Sequence, residues 1–250
     1  MMAIVVSSRM LKVSGMALLF HFGCVASPSR ADVVSDGQTP TNVRIAGGDT
    51  TVGGGLVNGG NVFHSFEEFS VPGGMTVTFE ENAGVSRIIN RVTGSTESFI
   101  NGEIRYAGAD ATIFLLNPNG VVFGPQSKLD INASFVASSA EGLLFEDGTF
   151  YGVGSNSAET PLLTSSIPVG LQFGDAPQSV RSLAGSASDE ALSSSVGLTV
   201  PSGQTIALVG GGISIQGDLE VLLSSSLEEL PILKGLATLS APGGRLELGS

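Results

Sequence analysis

From about Thr76 onward short β-type runs alternate with Gly, Asn, Pro and Ser punctuation. The runs include Thr76 to Phe79, Ser86 to Val92, Thr112 to Leu116, Val121 to Phe123, Gly197 to Val200, Thr205 to Val209, Ile213 to Ile215, Leu219 to Leu223 and Arg245 to Leu248. The clearest is Lys128 to Val136, which sets Leu129, Ile131, Ala133 and Phe135 on one face and Lys128, Asp130, Asn132 and Ser134 on the other. Alternation at period 2 predicts strands. Turn pairs punctuate them: Asn58-Gly59, Asn101-Gly102, Asn119-Gly120, Pro201-Ser202 and Pro242-Gly243. Only Ser224 to Leu236 has helix-like spacing, and Pro231 interrupts it.

Many runs are about three to five residues long with Gly-rich corners roughly every 8–12 residues, as in a parallel β-helix whose rungs bury their inward side chains in columns. Aromatic residues make up only 6% of the chain, which suits a narrow interior of Val, Ile, Leu and Ala. A β-sandwich is the other architecture this composition allows. Tyr151 to Ser157, Ala184 to Ser195 and Leu222 to Leu239 read as loops or excursions from the main body.

Composition narrows the function. Of 250 residues 35 are Gly, 42% are hydrophobic and only 14% are charged, so the chain has enough apolar surface to fold. Its net charge is −12, and all 23 acidic residues follow residue 31, against eight basic ones there. Such a surface repels phosphate backbones and acidic polysaccharides, so nucleic acid is not an expected partner. Residues 1–31 read as a secretory signal: Arg9 and Lys12, an apolar stretch from Val13 to Ala26, then Ser29-Arg30-Ala31 before Asp32. A cut after Ala26 and a start at Met10 are alternatives, while His21 and Phe22 before Gly23-Cys24 do not suit a lipobox. Cys24 is the sole cysteine, so a cleaved chain has no disulfide.

Candidate chemistry is sparse. His64 is the only histidine after residue 31 and lies among Val62, Phe63, Phe66 and Phe69, so a structural role is expected. It cannot by itself supply a zinc site, and no G-x-S-x-G elbow accompanies it. The Gly53-Gly54-Gly55 and Gly152-Val153-Gly154 runs lack a phosphate-loop setting and read as turns. The carboxylate pairs Glu67/Glu68, Glu80/Glu81, Glu146/Asp147 and Glu228/Glu229 motivate one alternative, a β-helical carbohydrate-active or carbohydrate-binding surface protein. Adjacent residues on a strand point to opposite faces, however, so solvated edges and turns account for the pairs.

Asn117-Pro118-Asn119-Gly120 stands between two apolar runs. Pro118 pushes Asn117 into an extended conformation, Asn119 tolerates positive φ and Gly120 adopts it freely. A tight corner between buried strands follows, with two Asn amides available to bond backbone groups.

The surrounding residues then occur in a telling order: Gly60 to Phe66, Phe69 to Val71, Asn90 to Gly94, Ile100 to Gly102, Ala111 to Pro125, Ser134 to Ser138, Leu208 to Ile213 and Ala241 to Ser250. Together they resemble the filamentous haemagglutinin N-terminal domain, the two-partner secretion domain of large exoproteins, in its cyanobacterial style. The resemblance covers roughly residues 34–250, giving a signal peptide over 1–31 and one domain over 32–250. It implies an all-β, right-handed parallel β-helix (solenoid) with extra-helical strands and loops. It also implies secretion to the cell surface or medium through the periplasm and outer membrane, as the targeting part of an adhesin-like exoprotein. The implied partner is an outer-membrane β-barrel transporter with periplasmic recognition modules; host or surface glycans are further candidate partners. No cofactor and no covalent chemistry are implied, so the chain is not expected to be an enzyme. Asn117, Pro118, Asn119 and Gly120 match the family's secretion motif, and Asn117→Ala is expected to spare much of the fold while impairing export. An unpaired edge at the N-terminal end of the β-structure is expected to offer the transporter a site for strand addition. Where many members carry a second, upstream Asn-Pro-Asn-Leu motif, this chain has Glu80-Glu81-Asn82-Ala83-Gly84. Members usually continue for hundreds of residues, so an effector activity is expected outside these residues.

Overall fold

The computed structural model describes residues 32–81, 84–153, 164–183, 197–216, 238–240 and 245–249, and among them the only regular elements are β-strands. The signal, Cys24, Glu228/Glu229 and the loops expected at Ala184 to Ser195 and from Leu222 lie wholly or mostly outside the described residues. Three parallel sheets form the faces of a β-solenoid. The first face stacks β5 (Asn61–Ser70), β7 (Arg87–Val92), β10 (Thr112–Leu116), β13 (Phe135–Ser138), β19 (Thr205–Val209) and β22 (Arg245–Gly249). The second stacks β8 (Ser98–Ile100), β11 (Val121–Phe123), β17 (Ser179–Leu183) and β20 (Gly212–Gln216). The third stacks β3 (Asp49–Gly53), β6 (Thr76–Glu80), β9 (Glu103–Tyr106) and β12 (Lys128–Asp130). From β7 to β12 the chain visits first, second and third face in turn, twice over. Each strand thereby pairs in parallel with its counterpart one coil away. Two further strands, β18 (Gly197–Thr199) and β21 (Thr238–Ser240), pair in parallel with each other.

Register explains the core. Val62, Ile88, Ile113, Phe135 and Ile206 are successive partners across the first face, and each is at most 1% exposed. Fully burying such a side chain is worth about 1.5–3 kcal/mol, and stacking makes every rung the lid of the one before.

Antiparallel strands close the N-terminal end. β1 (Asp32–Ser35) pairs with the C-terminal half of β5, β4 (Leu56–Asn58) with its N-terminal half, and β2 (Asn42–Ala46) with β3. Between β1 and β4, the Ser65 N–H donates to Thr39 Oγ1. The edge of β5 is therefore occupied, and the outermost strands at this end are β1 and β4 on the first face and β2 on the third. The cap strands precede Thr76, where the sequence pattern begins to alternate. β5 hides because Asn61 to Phe66 are all buried, so the strand carries polar and apolar residues inside together.

Between β13 and β17 the chain leaves the solenoid for an antiparallel sheet of β14 (Gly142–Phe145), β15 (Phe150–Gly152) and β16 (Pro168–Gln172). Its Leu143, Phe145 and Tyr151 pack on the outward Phe63, Ile89 and Leu116, forming a second core against the first face. Tyr151 and Gly152, read as the start of a loop, are thus strand residues, and Gly53 likewise ends β3 rather than forming a turn. Lys128 to Val136 is not one strand. It spans β12 on the third face and the start of β13 on the first, yet Ile131, Ala133 and Phe135 stay buried while Asn132 stays exposed. The corner preserves inside–outside alternation, so periodicity reports facing correctly and strand length incorrectly.

Candidate functional site

Asn117 to Gly120 form the corner that carries the chain from β10 to β11, from the first face to the second. The Gly120 N–H donates to the Asn117 carbonyl at 2.9 Å, closing a four-residue turn with Pro118 in its second position. The Asn119 N–H donates to Asn117 Oδ1 at 2.9 Å, the Asx arrangement that Asn favours in turns. Gly120 has φ +106°, and a Cβ there would stand 2.9 Å from the Ser179 carbonyl, so conformation and space both require glycine.

The two amides bond to the neighbouring coil. Asn117 is fully buried, and its Nδ2 donates to the Thr96 carbonyl and to Ser98 Oγ, each at 2.9 Å. Asn119 Nδ2 donates to the Gly94 carbonyl at 2.8 Å and to Asn117 Oδ1 at 3.1 Å. The Ser98 N–H returns a bond to the Gly120 carbonyl at 3.0 Å, and the Asn117 N–H reaches the Ser138 carbonyl at 2.9 Å. The corner therefore stitches three coils together. With the Asn117 amide so committed, the expectation that its removal spares much of the fold does not fit the geometry.

His64 points inward from β5 with its ring between Phe66 and Phe79, at centroid distances of 6.0 and 5.8 Å. Its structural reading fits; the reading of Glu81 as solvated does not. Glu81 Oε1 lies 2.9 Å from His64 Nε2, with side-chain exposures of 2% and 0%. Its neighbour Glu80 turns outward to an exposed pair with Arg44 at 3.1 Å, so this carboxylate pair diverges. Asp147 accepts from Thr164 Oγ1 and, at 3.0 Å, from the Thr149 N–H, and these bonds hold its carboxyl below the usual range. Among the described residues no group of three or more His, Cys, Asp or Glu is placed to hold a metal ion.

Arg91 gave no sequence signal, because nothing in the pattern distinguishes a buried arginine from an exposed one. It is 2% exposed on the outward side of β7. Nε donates to Ser65 Oγ at 2.9 Å, Nη1 to the Gly152 carbonyl at 2.5 Å and Nη2 to Gln38 Oε1 at 2.5 Å. The guanidinium also stacks 4.4 Å from the Tyr151 ring centre. Burial raises the Tyr151 phenol above its ordinary range, and its hydroxyl donates to the His64 carbonyl at 2.9 Å.

This solenoid, with its capped end, lateral sheet and Asn-Pro-Asn-Gly corner, has a counterpart at the level of sequence families. The TPS secretion domain matches residues 31–250. The chain belongs to that family. Among solved structures, this TPS secretion domain is similar to the HMW1 secretion domain of Haemophilus influenzae at 18% identity and a TM-score of 0.46. That match covers 74% of this chain and 40% of the HMW1 chain, so the present chain spans well under half of the HMW1 structure's length. It is also similar to the filamentous hemagglutinin secretion domain, at 15% identity and a TM-score of 0.40, over 87% of this chain and 99% of that one. A search of curated proteins finds no match. As a TPS secretion domain, the chain has its role in the export of a protein.

Proposed function

We propose that this TPS secretion domain is the targeting part of an adhesin-like exoprotein. It is recognised in the periplasm by the periplasmic modules of a partner outer-membrane β-barrel transporter, and it folds once outside. The family match over residues 31–250 carries this reading. Asn117, Pro118, Asn119 and Gly120 are the motif residues, and their geometry supports a specific division of labour. In the folded chain both Asn117 amide hydrogens are committed to Thr96 and Ser98, so a partner can read that side chain only in the extended form. After passage the same groups lock the corner, and refolding outside helps prevent return.

The test is export from cells carrying the candidate transporter, with Asn117→Ala and Asn119→Ala assayed beside the parent chain. The expected result is transporter-dependent appearance in the medium that falls at least tenfold in the double variant. Folded protein held in the periplasm despite a working transporter overturns the proposal. Unchanged secretion of the double variant removes the motif from it.

A further inference from the structure

The cap that covers β5 is fastened from inside the solenoid. Of the contacts between acidic and basic side chains among the described residues, His64–Glu81 alone has both side chains buried; the others are exposed or half-exposed at the surface. The imidazole is bonded at both nitrogens: Nε2 to Glu81 Oε1 at 2.9 Å and Nδ1 to Thr41 Oγ1 at 3.0 Å. Thr41 Oγ1 is 2.7 Å from Thr39 Oγ1, which accepts the Ser65 N–H of β5. One continuous chain of bonds thus runs from the corner after β6, through the His64 ring, to the segment joining β1 and β2. The link between β3 and β4 is moulded to the same ring, since a Cβ on Gly55 would lie 2.6 Å from His64 Cε1. Two of the three connections within the cap, β1 to β2 and β3 to β4, therefore meet this imidazole or its partners.

We propose that His64, Glu81 and Thr41 form a latch, and that the cap, residues 32–58, opens as a unit when the latch is broken while the coils from β7 onward stay closed. The cap has the composition of a unit held from outside itself: β2 and β4 are mostly exposed, and Val34, Ile45 and Val57 are 40%, 38% and 49% exposed. Of its apolar side chains only Val33 and Val52 are buried in the core, with Val43 and Leu56 partly buried beside it. A buried pair, by contrast, is costly to leave half-made, because removal of one partner strands the other in a low dielectric. Opening uncovers the ten-residue edge of β5, the long strand edge that the cap protects. This inference stands apart from the secretion reading, since it concerns the folded chain alone.

The experiment is native-state hydrogen exchange by mass spectrometry on the purified full chain, comparing the parent with Glu81→Gln and Thr41→Val. Glu81→Gln replaces the carboxyl group by an amide of nearly the same shape. Thr41→Val removes the other bond and leaves the pair intact, so it still decides the matter if Glu81→Gln fails to fold. We expect exchange of the β1, β2 and β4 amides to rise at least tenfold in each variant, with β10 and β13 amides changing less than twofold. Equal acceleration throughout the molecule, or none in the cap, overturns the latch. Neither outcome involves the transporter, so failure here leaves the secretion reading to its own test.

Discussion

Asn117 carries four side-chain hydrogen bonds from a fully buried position, two donated and two accepted. Asn117→Ala deletes all four and leaves the Thr96 carbonyl, Ser98 Oγ and the Asn119 N–H short of partners. A buried polar group left unsatisfied costs about 1–3 kcal/mol, so a loss of roughly 2–4 kcal/mol is expected in chemical denaturation. Asn119→Ala, at a half-buried position, should cost about 1 kcal/mol. A stability loss below that of Asn119→Ala would show that the corner tolerates an open Asn117 site. The turn itself was visible in the sequence from Pro118 and Gly120. The destinations of the amides were not, because the acceptors at Gly94 and Thr96 lie more than 20 residues earlier and only coil stacking brings them near. Tyrosine supplies a second residue-scale test. Burial raises both Tyr106 and Tyr151 above their ordinary range, with the Glu81 charge adding to the rise at Tyr106. A folded-state value above the unfolded one means that the unfolded chain releases its protons first. Stability is then intact below about pH 10 and falls above it, by up to about 1.4 kcal/mol per pH unit for each phenol. Melting temperatures from pH 8 to 11 should decline with a shallower slope in Tyr151→Phe than in the parent, and equal slopes would contradict the assignment.

Among the elements, the lateral sheet of β14 to β16 depends most on one contact. It packs Leu143, Phe145 and Tyr151 on the first face, and Arg91 pins it by donating to the Gly152 carbonyl beneath the Tyr151 ring. The same guanidinium holds Gln38, so the lateral sheet and the cap share an anchor. Arg91→Met keeps much of the volume and removes the donors. We expect a loss of about 2–4 kcal/mol and early protease cleavage near residue 153, with β7 itself still protected. Arg91→Lys should rescue little, because a single ammonium cannot span three diverging acceptors. If Arg91→Met leaves cleavage of the lateral sheet unchanged, the apolar contacts alone seat it. Sequence reasoning found β10, β19 and even the wholly buried β11, because each is a short apolar run ended by Asn or Gly. It missed β5, where buried Asn61, His64 and Ser65 interrupt the apolar run, and β15, a three-residue strand that ends in Gly152.

At the scale of the whole molecule, two properties matter: each stacked rung depends on its neighbours, and acids outnumber bases. The first makes Phe135 a keystone. It pairs in register with Ile113 on one side and Ile206 on the other, and its ring meets Phe123 at 6.0 Å. Phe135→Ala should cost roughly 3–5 kcal/mol, since the flanking rungs cannot collapse into the space without breaking register. The second sets the response to salt. The chain carries 23 acidic against 11 basic residues, and the exposed ion pairs seen, Arg44–Glu80, Arg105 with Glu103 and Asp130, and Arg181–Glu97, engage only a few of them. Each such pair is worth about 0–1 kcal/mol and is weakened by salt. Repulsion among the unpaired carboxylates is screened by the same ions, whose reach falls to about 3 Å at 1 M. With acids outnumbering bases about two to one, relief of repulsion should exceed the loss of pairs. Raising NaCl from 20 mM to 0.5 M at pH 7.5 is expected to lift the melting temperature by about 2–4 °C, as for roughly 1 kcal/mol in a domain this size. A fall in melting temperature over that range would mean that the few surface pairs outweigh the net charge.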